Sequence, residues 1–369
     1  MKKYRVILIV VPCGLVLAGT IWTLQQPPEP AYHGRPLVYW LEHFFPPSAY
    51  ISGGTSSPEA VEAIRQIGTN GIPTLLRLAA AHDSTLTLKL VALAAKQHLI
   101  RVPFTSAWEK NRLATLGFSA LGAAASNAVP ALIRILDANS SPWSQEAAAY
   151  ALGSIGPAAR QAVPSLCSAL ASPMGQVRMA FVMALGRIHA EPGRAIPALT
   201  KSLTDSDQSV RQLAAEALGR FGADAQPAVP ALIAICDQHI AESYHAATAL
   251  GLIGPAAKAA VPSLLRGSAD ADLDLEFRRL CILALGRIHA EPELVVPALM
   301  QSLREAASDT EVQIQLFSAN ALGEFGPEAR PAVPLLTTLL QDPHSYIRFH
   351  ASNALQLIES STAAGAGNR

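Results

Sequence analysis

The chain has 369 residues, of which 50% are hydrophobic and 15% charged, a composition that excludes intrinsic disorder and allows a large buried core. Its 28 basic and 28 acidic side chains balance to a formal charge of zero. Because general nucleic-acid binding requires an excess of cations to neutralise phosphates, nucleic acid is not an expected partner.

Residues 1–24 are predicted to form a membrane anchor. A cationic head, MKKYR, precedes the uncharged run VILIVVPCGLVLAGTIWTL at residues 6–24. About 20 apolar residues are enough to span a bilayer, and a positive head usually stays in the cytoplasm. A single-pass membrane protein with residues 31–369 outside the cytoplasm is therefore expected. A second interpretation is a signal peptide cleaved near Ala18, which would lead to secretion.

Two short segments follow. Residues 25–35 are predicted to be a proline-rich linker, and residues 36–57 to be a capping helix with a loop. In the second segment apolar side chains recur at the spacing of one helix face. They are Leu37, Trp40, Leu41, Phe44 and Phe45. This amphipathic helix is expected to cover the open end of the domain that follows.

From residue 58 to residue 358 the chain repeats. The dipeptide Val/Ile-Pro recurs with its proline at Pro73, Pro130, Pro164, Pro197, Pro230, Pro262, Pro297 and Pro334. Eleven residues before the last six of these stands the glycine of a Leu-Gly pair, at Gly153, Gly186, Gly219, Gly251, Gly286 and Gly323. A period near 33 residues without strand-like alternation predicts about eight stacked helix pairs.

The unit around Pro197 shows why each pair forms. Pro197 is expected in the first turn of helix A, where its missing N–H has no cost. The segment 204–207, Thr-Asp-Ser-Asp, breaks the pattern and offers capping oxygens to helix B. The apolar residues of helix B then recur at amphipathic spacing, and Gly222 is expected to end it in the left-handed conformation.

This unit resembles the HEAT repeat, especially its PBS-lyase-like bacterial form, over about residues 58–358. The residues that carry the resemblance are Pro197, Leu203, Asp205, Val210, Arg211, Ala214, Ala217, Leu218 and Gly219. The resemblance implies an all-α fold, a right-handed α-α superhelix, here with an N-terminal transmembrane helix. The family's ladder of Asp/Arg contacts maps to Arg178, Arg211, Arg278 and Arg348, interrupted by Gln145, Ser243 and Gln315. The segment 32–41 is similar to one that follows the anchor in bacterial membrane-anchored HEAT-repeat proteins.

One nine-residue stretch, ALGRIHAEP, occurs at 184–192 and again at 284–292. Each copy carries a His-x-Glu triplet, but His189 and His289 align with the glycine that ends helix B in other units, so they are predicted to be helix caps. The triplets are three units apart, roughly 25–35 Å at about 8–10 Å per helix layer, and cannot share one metal ion. Zinc deaminases also need Pro-Cys-x-x-Cys, and HEAT-repeat di-iron hydroxylases need adjacent His-Glu pairs; both are absent.

No catalytic, metal or cofactor-binding residue and no cofactor are therefore predicted. The cysteines within helical patterns, Cys167, Cys236 and Cys281, are interpreted as small buried hydrophobes. The loop 100–107 is the candidate functional insertion, and residues 359–369 are predicted to be a flexible tail.

The candidate binding surface lies on the B helices, which line the concave side of such a stack. Positions two before and two after the key leucine vary between units, which is how a solenoid presents a binding surface. The candidates are Tyr150, Met183, Arg187, Glu216, Arg220, Thr248, Leu283, Arg287, Asn320 and Glu324. Three of them, Arg187, Arg220 and Arg287, are expected to form a basic stripe for an acidic protein segment or polysaccharide.

The predicted function is a monomeric, non-catalytic, membrane-anchored scaffold that binds a protein partner on its concave surface. Two alternatives stay open. One is a lyase-type or metal-dependent enzyme, or an accessory subunit, on the same fold. The other is a binder of cell-envelope polysaccharide.

Overall fold

The computed structural model describes residues 29–45, 56–97, 104–305 and 312–366. The predicted membrane span at 6–24 lies outside these residues, as do residues 100–103 of the loop predicted at 100–107. The described residues confirm the all-α fold: apart from one small hairpin they form helices, most of them paired and stacked in chain order.

The N-terminal segment differs from the prediction. Strands Ala31–Tyr32 and Arg35–Pro36 form an antiparallel hairpin in the stretch predicted as linker, and the helix after it, Leu37–Glu42, ends before Phe44. The hairpin was missed because two-residue strands carry no alternation pattern. The predicted covering role is nevertheless visible, because Leu37 and Leu41 are buried against the first helices of the repeat domain.

Eight pairs of helices follow, which we number as units 1 to 8, each with an A helix and then a B helix. The A helices are Ile72–Ala79, Val129–Ala138, Val163–Ala169, Pro192–Ser202, Val229–Cys236, Val261–Ala269, Pro292–Glu305 and Val333–Leu339. The B helices are Ala107–Leu121, Pro142–Ile155, Gly175–Ile188, Gln208–Arg220, Ala241–Ile253, Leu275–Ile288, Val312–Glu324 and Ser345–Ala366. Helix Pro58–Ile67 precedes unit 1, and helix Thr85–Gln97 is inserted within it. The last B helix includes residues 359–366, which were predicted to be tail.

The starts of the helices follow from their capping residues. Asp207 is the N-cap of the B helix of unit 4, where its side chain accepts from the backbone N–H groups of Ser209 and Val210, as the sequence predicted. The expectation for Pro197 was wrong: its A helix begins at Pro192, so Pro197 lies inside the helix. In five other units the Val-Pro proline does stand in the first turn.

Neighbouring B helices approach one another through the Leu-Gly glycines. A Cβ added to any of these six glycines would lie only 3.0–3.2 Å from the Cα of an alanine in the next B helix. The pairs are Gly153–Ala184, Gly186–Ala217, Gly219–Ala249, Gly251–Ala284, Gly286–Ala321 and Gly323–Ala354. We call this series the glycine–alanine ladder. In unit 8, which no unit follows in the described chain, exposed Gln356 stands in the glycine position.

One continuous apolar core runs along the stack from Leu37 to Ile358. Two stretches, Ala107–Ala138 and Ala241–Ala269, are long and apolar enough to cross a membrane by length and composition alone. Each joins a B helix, a 3-10 turn and the next A helix. Their buried side chains, such as Phe118 and Leu264, belong to the repeat core, and this position in the fold accounts for their apolar character.

The ladder predicts that an alanine at a Leu-Gly glycine destabilises the protein. Gly186→Ala would place its Cβ 2.9 Å from the Cβ of Ala217, and this overpacking should lower the free energy of unfolding by about 1–3 kcal/mol. An alanine in a helix interior otherwise gains about 1 kcal/mol over glycine. Gly193→Ala is the matched control, because nothing lies within 4 Å of its added Cβ. Thermal denaturation of both variants checks this: a Gly186→Ala protein as stable as the Gly193→Ala protein would contradict the ladder.

Candidate functional site

The ten predicted surface residues all lie on B helices. Each is exposed or half-buried, whereas the residues between them, such as Ala151, Leu152 and Gly153, are buried in the core. B helices of neighbouring units pack against one another more extensively than the A helices do. In a curved stack, the layer whose neighbouring helices are closest together lies on the inside of the curve. This packing therefore favours a concave face formed by the B helices.

The three arginines of the predicted stripe also serve the fold. The Cδ atoms of Arg187, Arg220 and Arg287 lie 3.5, 3.7 and 3.6 Å from the Cβ that Gly153, Gly186 and Gly251 would carry. Each aliphatic stem therefore covers the glycine of the preceding unit, while the residue remains exposed. The side chain two after the key leucine is thus set partly by packing, which the sequence pattern did not reveal.

The stripe is not uniformly basic, in contrast to the expectation. Arg220 Nη2 lies 2.7 Å from Glu216 Oε1, one turn earlier on the same helix. Glu324 stands close to Arg287; burial raises the pKa of its carboxyl, and the charges of Arg287 and His289 partly offset that rise. The B-helix face therefore presents guanidinium and carboxylate groups side by side.

The two His-x-Glu triplets are caps, as predicted. His189 ends its B helix in the left-handed conformation, with φ 49° and ψ 49°, and His289 does the same with φ 47° and ψ 51°. The ring of His189 packs on Phe221 with a centroid separation of 4.8 Å, and that of His289 on Phe325 with 4.9 Å. His289 Nε2 also lies 3.0 Å from Glu328 Oε2. Each triplet thus has its own local partners.

The glycine caps differ from the histidine caps in a way that the sequence did not show. Gly156 and Gly254 have positive φ but ψ of −142° and −143°, a region open to glycine alone. A 3-10 segment follows each of them. After His189 the chain instead turns through Glu191, also left-handed at φ 53°, and starts the next A helix directly. This shorter connection explains why Pro197 is internal to its helix.

The four arginines mapped to the family ladder bind the chain between the A and B helices or the end of the A helix. Arg178, Arg211 and Arg348 donate to loop carbonyls, those of Ser172, Asp205 and Asp342, and Arg278 donates to the carbonyl of Ser268 in the last turn of its A helix. Arg178 also pairs with Asp205 of the next unit at 2.6 and 2.7 Å, and Arg211 pairs with Glu242.

Two of the residues that interrupt this ladder make a similar contact. The side chains of Gln145 and Ser243 donate to the carbonyls of Leu136 and Ile235, at 3.3 and 2.6 Å. These residues therefore hold the end of the preceding A helix with a neutral donor.

A pocket that the sequence did not predict lies at the N-terminal end of the B-helix face. It measures about 290 Å³ and is formed by the B helices of units 1, 2 and 3. Its lining residues are Trp108, Asn111, Arg112, Thr115, Leu116, Trp143, Glu146, Ala147, Tyr150 and Gln176. Tyr150 alone was among the predicted candidates. Helical spacing could have indicated it. Trp143, Glu146 and Tyr150 lie on one face of their helix, so the exposed face that contains the candidate Tyr150 extends to the start of that helix.

Glu146 places a half-buried carboxylate in this pocket. Both its carboxylate oxygens lie 3.2 Å from Gln176 Nε2, and burial raises the pKa of the carboxyl, partly offset by that hydrogen bond. The charge of Arg112 is balanced by Glu109, 2.7 Å away. Within the described ranges Glu146 has no salt-bridge partner.

No group of three or more His, Cys, Asp or Glu side chains that could hold a metal ion occurs among the described residues. Cys236 and Cys281 are buried and Cys167 is half-buried. Cys236 and Cys281 are hydrogen-bonded to each other; this contact lowers the pKa of Cys236 and, with burial, raises that of Cys281.

Comparison with known proteins identifies the repeat. Residues 163–241 match the family model for HEAT repeats, and residues 144–172 match that for the PBS lyase HEAT-like repeat. No curated protein matches the chain.

Solved structures with some likeness include two engineered proteins and one natural enzyme. An engineered protein from a structural genomics consortium is 24% identical, over 63% of this chain and 96% of that one, with a TM-score of 0.35. A designed armadillo repeat protein is 18% identical over 53% and 100%, with a TM-score of 0.40. Human deoxyhypusine hydroxylase, in complex with glycerol, is 22% identical over 64% and 97%, with a TM-score of 0.29. At such TM-scores these likenesses carry no argument about function.

The pair of Arg178 and Asp205 should make stability depend on pH. The hydrogen bonds from Arg178 lower the pKa of Asp205, so the pair stabilises the fold above the unfolded carboxyl pKa of about 3.9 and loses this effect as pH falls through the lower folded value. Arg178→Met should lower the free energy of unfolding at pH 7 by about 1.5–3 kcal/mol, and by less at pH 3.

Urea denaturation at both pH values tests this prediction. Arg220→Met is the control: its pair with Glu216 is exposed, so a loss below about 0.5 kcal/mol is expected. Equal losses from the two substitutions, or a loss for Arg178→Met that does not shrink at pH 3, would contradict the role of the buried pair.

Proposed function

We propose that this chain, in which residues 144–241 match HEAT-repeat family models, is a non-enzymatic scaffold that binds a protein partner on its B-helix face. The fold is that of a repeat solenoid, and such repeats use their extended surfaces for binding.

One observation carries the proposal. The glycine–alanine ladder keeps neighbouring B helices in close contact through six consecutive interfaces, while the residues beside each ladder position differ in size and charge from unit to unit. Constant packing beside variable exposed side chains is the arrangement expected of a surface that recognises one particular partner.

The composition of the face favours a protein over an acidic polysaccharide. Arginines alternate with carboxylates such as Glu216 and Glu324, and Met183, Leu283 and Tyr150 lie between them. A polyanion would meet repulsion from these carboxylates, whereas a protein surface can match both signs of charge and cover the apolar groups.

We further propose that the scaffold is a monomer held at the outer side of a membrane by residues 6–24. The support for this is the uncharged run after the MKKYR head, together with the length that a span needs. The repeat domain would then meet partners outside the cytoplasm.

Substitution of the stripe tests the binding face. Arg187→Met, Arg220→Met and Arg287→Met together keep the aliphatic stems over the glycines but remove three charges. Recovery of the cross-linked native partner, quantified by mass spectrometry, should fall about tenfold or more, which is about 1.4 kcal/mol. The control replaces three exposed arginines outside the B helices, Arg134, Arg194 and Arg330, with methionine. Unchanged recovery with the stripe variant would refute the proposed face.

The non-enzymatic role has a separate test. Stoichiometric iron, zinc or bilin in the purified protein would contradict it.

The location is tested by protease protection of the full chain. In intact spheroplasts the repeat domain should be digested by added protease, because it lies outside the cytoplasm, while a cytoplasmic marker stays intact. Mass spectrometry of purified protein should show residues 1–18 still attached. Protection of the repeat domain would rule out export, and a chain that begins after Ala18 would replace the anchored form with the secreted one.

A further inference from the structure

The pocket on units 1 to 3 is built from aromatic rings and acceptors. Trp108, Trp143 and Tyr150 line it from two adjacent B helices, and Trp108 is 50% exposed. Aromatic faces placed at a polar pocket attract cations, because the ring face carries partial negative charge.

One acceptor in the pocket, the carboxylate of Glu146, has no cationic partner among the described residues. The carboxylate of Glu146 is half-buried and has only the Gln176 amide as a partner among the described residues. A half-buried carboxylate without a cationic partner is costly, so a ligand that brings a positive charge and N–H donors would stabilise the site.

We propose that this pocket binds the cationic end of an arginine or lysine side chain presented by the partner protein. The inference rests on the proposed function, because it assigns an anchor residue to the partner of the B-helix face. The guanidinium or ammonium group would lie against the tryptophan faces and donate to the carboxylate of Glu146.

Size and charge distinguish this ligand from others. A volume of about 290 Å³ is at the small end for ligand pockets and suits one side chain rather than an oligosaccharide. An anionic ligand would face the uncompensated carboxylate of Glu146. A neutral ligand would leave that charge desolvated without compensation.

The test uses the full chain in detergent and two short probes, acetyl-Gly-Arg-Gly-amide and the same peptide with citrulline. Citrulline has the shape of arginine without its charge. The fluorescence of Trp108 and Trp143 reports binding, and calorimetry measures the affinity. The arginine peptide should bind about tenfold more tightly than the citrulline peptide, since a desolvated cation–π contact and a charge-assisted hydrogen bond are lost together. A lysine peptide should bind within a few-fold of the arginine peptide.

Variants assign the effect to the pocket. Glu146→Gln keeps the shape of the side chain and should weaken the arginine peptide about tenfold, while leaving the citrulline peptide unchanged. Trp108→Leu, at an exposed position, should also weaken the arginine peptide. Glu62→Gln is the matched control, because Glu62 likewise accepts from a glutamine amide, that of Gln66 at 2.7 Å, but lies outside the pocket.

Each outcome decides the proposal. It is overturned if the arginine peptide does not bind, if the citrulline peptide binds equally well, or if a neutral oligosaccharide such as cellotetraose binds more tightly and survives Glu146→Gln. Recovery of the cross-linked partner separates the two proposals: loss with the stripe variant but not with Glu146→Gln refutes the pocket and leaves the scaffold. Retention with both variants refutes both.

Discussion

Close contact between neighbouring B helices is the constraint on which the rest of the structure depends. At each of the six interfaces between units 2 and 8 the absence of one Cβ lets two helix backbones meet at a glycine and an alanine. The core between the A and B layers is built from alanine, leucine and valine at recurring positions, and these units repeat the same packing. The ladder lacks its glycine at unit 8, where Gln356 stands in the position that no further B helix covers in the described chain.

The candidate binding face is a consequence of this contact. Side chains on either side of the ladder cannot enter the interface, so they lie along the exposed face of the B helices and are free to vary. The packing is not independent of the surface, however, because the stems of Arg187, Arg220 and Arg287 close over the glycines of the preceding units. The same residues therefore serve the interface with their methylene groups and present their charge to solvent.

The repeat architecture was readable in advance, whereas the connections between units and the pocket were only partly so. The Val/Ile-Pro period marks the A helices, and the alignment of His189 with glycine correctly indicated a helix cap. The alignment did not show that the histidine units use a different connection. The glycine caps adopt φ and ψ values that are not accessible to histidine, so the chain must leave a histidine cap in another direction. The pocket was missed because its lining residues come from three helices, and a pattern within one helix does not show which side chains converge.

The sequence by itself determined the all-α repeat, the residues of its core, the capping oxygens and the positions left exposed on the B helices. These follow from periodicity and local chemistry, which act within one helix or between adjacent ones. Only the tertiary structure decided that Glu324 lies beside Arg287, that Asp205 pairs with Arg178 of the preceding unit, and that Trp108 and Trp143 line one pocket with Glu146. Those contacts join different turns or different units, and they depend on rotamers and helix spacing that no linear pattern contains.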